Sequence, residues 1–272
     1  MSMLAATREG DGFLEPGRIR KNLDAYRRIT SGKGRGWWLS EKVRLYALAE
    51  SAFDSDSPDS TAFAEIHRTL RGYWQVFRNG SGWPPRRILR VLMSEACQAC
   101  SRTRLDLMAL GRSSDLAPLW SCLVAMSGIK VLPRGNVSPM AVSKFLHFYN
   151  PRLFPIFDRA FVRNGVFPRY RRRIEASREH WSRRTSLFEA HPFYRRGLGE
   201  YLHYVLWAAD CVTRVDVAET MSVFVQCYRT MLAHEGRGRG VPADLETYYA
   251  TAFECALIGA SADRFVNVGR AQ

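Results

Sequence analysis

One carboxylate, that of Asp158, is distinguished by the cations that surround it in the sequence. An apolar helical run breaks at Asn150-Pro151, and the chain continues as an apolar segment that ends at this aspartate. The neighbouring basic residues are Lys144, Arg152, Arg159 and Arg163. An acid at the end of an apolar segment, with cations around it, favours acid–base or electrostatic chemistry on a polyanionic substrate.

The net charge of the chain favours a phosphate-rich partner. It has 40 Lys and Arg against 26 Asp and Glu, which leaves +14, and so basic a protein gains affinity for polyanions by releasing condensed counterions. Arginine greatly outnumbers lysine, and its planar guanidinium suits bidentate contacts with phosphates and base edges. A genome-wide preference for arginine is the alternative explanation of the same charge.

The length and the apolar content are those of a globular protein with a substantial core. The chain has 272 residues, 46% of them hydrophobic, which excludes wholesale disorder. No apolar run has the length of a membrane span, and the first thirty residues lack the apolar core of a signal peptide. We therefore expect a cytoplasmic protein, nucleoid-associated if bacterial, without a membrane partner and monomeric by default.

The six cysteines do not have the spacing of a metal site. Cys97 and Cys100 form a CxxC pair, but no second pair follows at a metal-binding distance. Without a secretory signal, we expect these thiols to be reduced and buried in helices. The sequence predicts neither a cofactor nor a metal ion.

Helical periodicity dominates the chain, and no run alternates as a strand does. The pattern predicts an all-α fold, with helices over residues 41–54, 60–78, 85–101, 115–128, 138–149, 158–164, 169–188, 192–214, 216–235 and 243–260. Ser40 and Asp115 are candidate N-caps. We expect two helical lobes around a cleft, with the chain divided into residues 1–40, 41–128 and 129–272.

A glycine-rich loop over residues 31–38 combines cations with two indoles. Backbone amides with Lys33 and Arg35 are suited to phosphate, while Trp37 or Trp38 would stack on a base or wedge into a duplex. The alternative is a linker whose tryptophans anchor it to the core.

A second basic stretch covers residues 159–196, where 11 arginines stand against three acids. A run of charge is usually a solvated face, but one this unbalanced repels itself without an anionic partner. We expect Arg171 and Arg172 to contact nucleic acid.

Three motifs follow one another in the centre of the chain: Leu132-Pro-Arg-Gly135, Ala141-Val-Ser143-Lys-Phe145-Leu146 and Pro155-Ile-Phe-Asp158-Arg159. This order resembles the helix–hairpin–helix DNA glycosylases, especially their 8-oxoguanine-processing branch. In that family a Leu-Pro-Gly-x-Gly hairpin precedes a helix with Ala-Ser-x-Phe-Leu, and a segment ending Ile-x-Asp-Arg delivers the catalytic aspartate. The resemblance covers about 35 residues, from 130 to 165.

The resemblance implies excision of a damaged or modified base by N-glycosidic bond cleavage, in DNA repair or in defence against modified foreign DNA. Asp158 would be the catalytic carboxylate, and region 129–272 would hold the helix–hairpin–helix element and the C-terminal helices. The hairpin residues Arg134, Gly135 and Asn136, together with Arg152, Arg159 and Arg163, would contact DNA, with duplex DNA favoured.

Two departures from the family pattern bear on the mechanism. The family hairpin has two glycines spaced by one residue, whereas here Gly135 is followed by Asn136 and Val137. Met140 stands where bifunctional members carry a nucleophilic lysine. Lys144 follows four residues later, on the same helix face one turn on. It is a candidate nucleophile or a phosphate ligand, and we expect a monofunctional enzyme rather than a lyase.

A base inside a duplex must be extruded before a carboxylate can act on its glycosidic bond, which requires a stacking surface. The candidates for this pocket are His147, as a polar reader, and Phe154, Phe157, Tyr204 and Trp207. Aromatic residues at helical spacing are also the ordinary content of a core, and that alternative stays open.

Two further hypotheses belong to other classes of protein. One is a catalytically silent relative that binds DNA through the same scaffold, which Met140 and the altered hairpin favour. The other is an unrelated all-α adaptor or toxin-type protein whose charge reflects composition alone.

Overall fold

The computed structural model describes residues 12–30, 37–54, 56–72, 74, 76–77, 82–130, 132–158, 170–234 and 241–261. Helices account for most of these residues, and no β-strand is formed within the described ranges. The predicted all-α fold is confirmed. None of the described helices is long and apolar enough to cross a membrane.

The helices, numbered here in chain order, are α1 Pro16–Thr30, α2 Trp37–Ala52, α3 Ser60–Gly72, α4 Pro85–Leu92, α5 Glu95–Gln98, α6 Leu107–Arg112, α7 Ala117–Met126, α8 Pro139–Tyr149, α9 Tyr170–Glu189, α10 Gly199–Thr213, α11 Val217–His234 and α12 Tyr249–Ala260. A π-helical turn, Tyr194–Leu198, precedes α10.

Several helix boundaries differ from those that periodicity predicts. The second predicted helix ends at Gly72 rather than 78, and the third divides into α4 and α5. Helices α1 and α6 were not predicted, because α1 has only a narrow apolar stripe among charges and α6 is too short to show a period. Ser40 is not a cap, since α2 already begins at Trp37. The N-cap of α7 is Leu116 rather than Asp115, although the Asp115 carboxylate accepts the Ala117 N–H at 2.8 Å.

Helix α8 lies at the centre of the molecule and carries the candidate site. It packs against α2 and α10, and α10 in turn contacts α6, α9 and α12. All nine residues 141–149 are buried, which explains why this helix reads as a continuous apolar run. The described helices nearest the two ends of the sequence meet, because α1 packs on α11 and α12.

The crossing of α1 and α12 depends on Gly259. A Cβ at this position would lie 1.7 Å from the carbonyl oxygen of Asn22, so only glycine allows the two backbones to approach so closely. We expect Gly259→Ala to lower the free energy of unfolding by about 1–3 kcal/mol or more, as overpacking does. Urea denaturation measures the loss.

Gly17 provides the matched control, because a Cβ there would meet nothing within 4 Å. We expect Gly17→Ala to be neutral or to stabilise by up to about 1 kcal/mol through helix propensity. Equal stability of the two variants would contradict the observed crossing.

Candidate active site

A short hairpin joins α7 to α8 and precedes the candidate site. The Leu132 N–H donates to the Asn136 carbonyl at 2.6 Å, and the chain turns at Arg134 and Gly135, whose φ angles are +64° and +71°. The sequence predicts the turn at Gly135-Asn136. The structure instead places the left-handed pair one residue earlier, and Asn136 is extended, with φ −68°.

Ser138 closes the hairpin and begins α8. Its backbone N–H donates to the Lys130 carbonyl at 3.2 Å, and its hydroxyl accepts the Ala141 N–H at 3.4 Å as the N-cap. The chain therefore passes from a helix through a hairpin directly into α8, which presents Ser143 and Lys144 in its second turn.

The extended segment Phe154–Asp158 is fixed through its peptide groups. Side chains from two helices donate to three successive carbonyls: His147 Nδ1 to Phe154 at 2.7 Å, Tyr201 Oη to Pro155 at 3.1 Å and Tyr204 Oη to Ile156 at 3.4 Å. Buried peptide groups outside regular secondary structure need such partners. Two hydroxyls and one imidazole therefore replace the hydrogen bonds that a helix would have made.

The backbone N–H groups of the same segment are also held. Ser143 Oγ accepts the Phe157 N–H at 3.0 Å and donates to the Met140 carbonyl. The Ile156 N–H interacts with the Glu254 carboxylate and favours its charged form. The position of Asp158 is therefore set by α8, α10 and α12 together.

Asp158 faces Lys144 across this junction. Its Oδ2 lies 3.6 Å from Lys144 Nζ, and the side-chain exposure is 20% for the aspartate and 4% for the lysine. The Lys144 ammonium also donates to the Trp74 carbonyl at 3.3 Å and lies 5.3 Å from the Trp74 ring centroid. Solvent therefore reaches the Asp158 carboxylate, whereas the Lys144 amine beneath it is buried.

Burial changes the proton affinity of this amine. Desolvation lowers the pKa of Lys144, and the Asp158 carboxylate partly opposes that shift. A second buried amine, Lys130, donates to the Val76 carbonyl at 2.9 Å and lowers the Lys144 pKa further. A desolvated amine loses its proton more readily, which is how lysines become nucleophiles or acid–base groups.

The distribution of lysines is itself informative. The chain has only five lysines among its 40 basic residues, and three of these, Lys42, Lys130 and Lys144, are buried. Arginine serves as the cation almost everywhere else, but it cannot give up its proton, whereas lysine can. The sequence shows the excess of arginine over lysine. The rarity of lysine is the sequence signal that singles out the few lysines as candidate functional residues, and helical periodicity does not reveal it.

Sequence reasoning did not single out the buried pair formed by Lys42 and Glu254. Their side chains lie 2.9 Å apart with 0% and 5% exposure. Burial raises the pKa of the Glu254 carboxyl, while Lys42 opposes that rise, and Asp158 raises it further. Glu254 is therefore electrostatically connected to the candidate site.

His147 has a structural role in this conformation, which corrects its prediction as a base reader. The ring is completely buried. Since the Phe154 carbonyl only accepts, Nδ1 carries the proton, and Nε2 accepts from Tyr46 Oη at 2.6 Å. Burial lowers the pKa of His147 well below its usual value. The ring cannot contact a base without breaking both hydrogen bonds.

The aromatic residues predicted for the pocket lie in the core. Their exposures are 0% for Phe154, 2% for Phe157, 0% for Tyr204 and 3% for Trp207. Phe157 packs edge to face on Tyr204, and Tyr204 and Trp207 both pack edge to face on Phe253. Core packing therefore describes these residues in this conformation. Trp37 and Trp38 begin α2, and their side chains lie outside the described part of the chain.

The hairpin presents its predicted DNA contacts at the surface and adds one cation. Arg134 and Asn136 are exposed and Gly135 is half-buried. A Cβ on Gly135 would lie 3.2 Å from Arg196 Nη1, and the Val137 N–H donates to the Arg196 carbonyl at 2.8 Å. The π-helical turn therefore brings an arginine onto the hairpin, a contact that the sequence does not show.

The other predicted DNA contacts are distributed differently. The Arg152 guanidinium is already held by Asp244 and by the Arg102 carbonyl, so a phosphate would have to compete with an ion pair. Arg171 and Arg172 are exposed on α9. The remaining four, Lys33, Arg35, Arg159 and Arg163, lie outside the described residues.

A buried histidine on α10 predicts acid sensitivity. Burial and Arg178 lower the pKa of His203 to about 3. Below pH about 6.5, this histidine is therefore protonated in the unfolded chain but stays neutral in the folded chain. Stability is full above that pH and falls with acidification down to about pH 3, by about 1.4 kcal/mol per pH unit for this residue. We expect His203→Gln to flatten the slope of unfolding free energy against pH by this amount. Equal slopes would contradict the shift.

Two other features of the described residues limit the chemistry. No group of three or more His, Cys, Asp or Glu side chains among them is arranged to hold a metal ion. All six cysteines are buried, and none of them forms a disulfide. Comparisons of the chain with protein-family models, with curated proteins and with solved structures found no match. The geometry around Asp158 is therefore the basis for assigning a function.

Proposed function

We propose that this protein is a DNA glycosylase-like enzyme that excises a damaged or modified base by cleaving its N-glycosidic bond. The observation that carries the proposal is the placement of Asp158. Its carboxylate is partly exposed, lies 3.6 Å from a buried ammonium, and ends a segment whose preceding peptides are held by side chains of three helices. Such rigidity is what a preorganised catalytic charge requires.

The chemistry of the bond explains why one fixed carboxylate suffices. As the base departs, the sugar gains oxocarbenium character and therefore positive charge. A carboxylate held nearby stabilises that charge and can orient or deprotonate the attacking water. In this reaction Lys144 orients Asp158, because its ammonium lies 3.6 Å from the aspartate Oδ2.

The surface next to the hairpin supports a DNA partner. Arg134, Arg195 and Arg196 are exposed around the turn, and left-handed turns present backbone N–H groups that bind anions. Together with the net charge of +14, these groups favour the phosphate backbone, with duplex DNA as the preferred form.

Base release is the direct test of the proposal. Duplexes carrying a panel of modified bases are incubated with the protein, and free base is measured by chromatography. Binding to an unmodified duplex should weaken steeply with salt, by a slope of about −0.9 in log K per phosphate contact. Absence of released base would overturn the proposed base excision, and absence of salt-dependent binding would overturn the DNA partner as well.

Charge-removal variants locate the interface. Arg134→Ala and Arg196→Ala should each reduce the salt slope by about one contact. Arg20→Ala removes the same charge from α1, where Arg20 bonds Gln226 of α11, and should leave the slope unchanged. Equal effects of all three would mean that net charge, and not the hairpin surface, binds DNA.

Borohydride trapping decides the role of Lys144. Because the amine is 4% exposed and lies beneath Asp158, we expect no covalent adduct between the protein and DNA under reducing conditions. An adduct that disappears in Lys144→Ala would instead make Lys144 a Schiff-base nucleophile and the protein a lyase.

A catalytically silent DNA-binding protein is the second candidate. The ion pair between Lys144 and Asp158 is the observation that favours it, since a carboxylate committed to a buried lysine has a structural use as well. Salt-dependent binding without release of any base from the panel would establish this alternative.

A further inference from the structure

Two polar connections reach the Asp158 segment from α2 and α12. Lys42 and Tyr46 are one turn apart on α2, and Thr251 and Glu254 are one turn apart on α12. Residues at these spacings project from the same helix face. The four side chains are buried, although buried polar side chains are costly unless they are paired.

The first connection ends on a carbonyl of the segment. Thr251 Oγ1 lies 2.9 Å from Tyr46 Oη, which lies 2.6 Å from His147 Nε2, and His147 Nδ1 donates to the Phe154 carbonyl at 2.7 Å. The fixed acceptor at Phe154 gives every bond in this chain the same direction, from Thr251 to Phe154. Aligned hydrogen bonds of this kind polarise one another.

The second connection ends on an amide of the same segment. Lys42 Nζ donates to Glu254 Oε2 at 2.9 Å, and the Glu254 carboxylate interacts with the Ile156 N–H. Glu254 also acts electrostatically on Lys144. Because the Lys42 ammonium compensates its charge, Glu254 can remain an anionic acceptor in the core.

We propose that Tyr46 and Glu254 are positioning residues that fix the Asp158 segment, and so the aspartate itself, in its reactive place. The inference rests on the proposed base excision. Neither residue touches the substrate; each acts through a peptide group two to four positions before Asp158. Misplacement of a catalytic group by about 1 Å is enough to reduce a rate by about 10²-fold.

A pair of double variants separates positioning from charge and from packing. Lys42→Met with Glu254→Gln removes both charges but retains an oxygen acceptor for the Ile156 N–H. Lys42→Met with Glu254→Leu removes the same charges and the acceptor, at a similar volume. Both variants are tested as full-length protein, at a temperature well below their measured Tm.

We expect the acceptor, and not the charge, to decide the rate. The Gln variant should retain kcat for base release within about threefold of the wild type. The Leu variant should lose about 10- to 100-fold in kcat, with KM for DNA unchanged. A purely structural role would lower Tm in both variants without separating their kcat values.

A second readout does not depend on catalysis. With only five lysines in the chain, carbon-13 labelled lysine allows the Lys144 signal to be assigned through Lys144→Ala and its titration followed by NMR. If the segment moves, Asp158 raises the Lys144 pKa less, so the titration midpoint should be lower in the Leu variant than in the Gln variant.

The outcomes distinguish this inference from the proposed function. If the wild type releases no base, the proposed function fails, and the Lys144 titration alone decides whether the segment is fixed by Glu254. Equal kcat values and equal Lys144 midpoints in the two double variants would overturn the inference. If the Leu variant does not fold, Tyr46→Phe, which removes one hydroxyl, is compared with the wild type instead. Its kcat for base release and its Lys144 titration midpoint should then both be lower than those of the wild type.

Discussion

Asp158→Asn is expected to slow the release of base by about 10²- to 10⁴-fold while leaving the affinity for DNA within about threefold of the wild type. Asparagine keeps the shape of the side chain but removes the negative charge that stabilises the oxocarbenium-like sugar. Single-turnover kinetics with excess protein measure the chemical step, and titration of a labelled duplex measures binding.

Asp244→Asn is the matched control for this substitution. Asp244 is also an aspartate paired with a cation, Arg152, but it lies on a different segment, ahead of α12. The same chemical change there should leave the rate of base release unaltered. If Asp158→Asn cleaves as fast as Asp244→Asn, the catalytic role of Asp158 is wrong.

Lys42→Met is expected to lower the free energy of unfolding by about 3–5 kcal/mol, because it leaves the Glu254 carboxylate buried without a compensating charge. The double variant Lys42→Met/Glu254→Gln should recover most of this loss, since neutral replacement of a buried ion pair is often neutral or stabilising. Urea denaturation of the three proteins at pH 7.5 measures the difference.

The loss in Lys42→Met should also depend on pH. An unpaired buried carboxyl has a folded-state pKa raised above that of the unfolded chain, so its penalty is full above the folded pKa. The penalty should shrink as acid protonates Glu254. A stability loss in Lys42→Met that stays constant from pH 7.5 to pH 5 would contradict this origin.

An exposed ion pair provides the reference for the stability loss expected in Lys42→Met. Arg171 and Glu175 are 3.0 Å apart on α9, with side-chain exposures of 92% and 57%, and such pairs contribute about 0–1 kcal/mol. Arg171→Met should therefore cost little. If Lys42→Met is no more destabilising than Arg171→Met, burial of the Lys42–Glu254 pair has been overstated.

Local sequence patterns predicted the fold class and the central helix. The pattern over residues 138–149 predicted α8, which extends over Pro139–Tyr149, and α9 and α11 were predicted to within one residue at each end. These helices are long and carry apolar or charged residues at helical spacing. The sequence pattern within each helix is therefore sufficient to predict it. Helix α1 has only a narrow apolar stripe, and its place became clear only from its packing on α12.

The candidate site was predictable only in part. The order of hairpin, helix and aspartate indicated Asp158, and the same-face spacing made Lys144 a candidate, but not that the two would lie 3.6 Å apart. His147 was assigned to a base pocket because its type permits that role. A buried carbonyl and a buried tyrosine hydroxyl instead fix it as a neutral structural group.

The all-α architecture, the basic charge and the carboxylate at the end of an apolar segment follow from local sequence, because each depends on residues within short stretches of the chain. What holds that carboxylate depends instead on long-range packing. Lys42 and Glu254 are 212 positions apart, and Tyr46 and Thr251 are 205 apart. No local period encodes such pairs, since they form only when packing brings α2 and α12 together around the Asp158 segment.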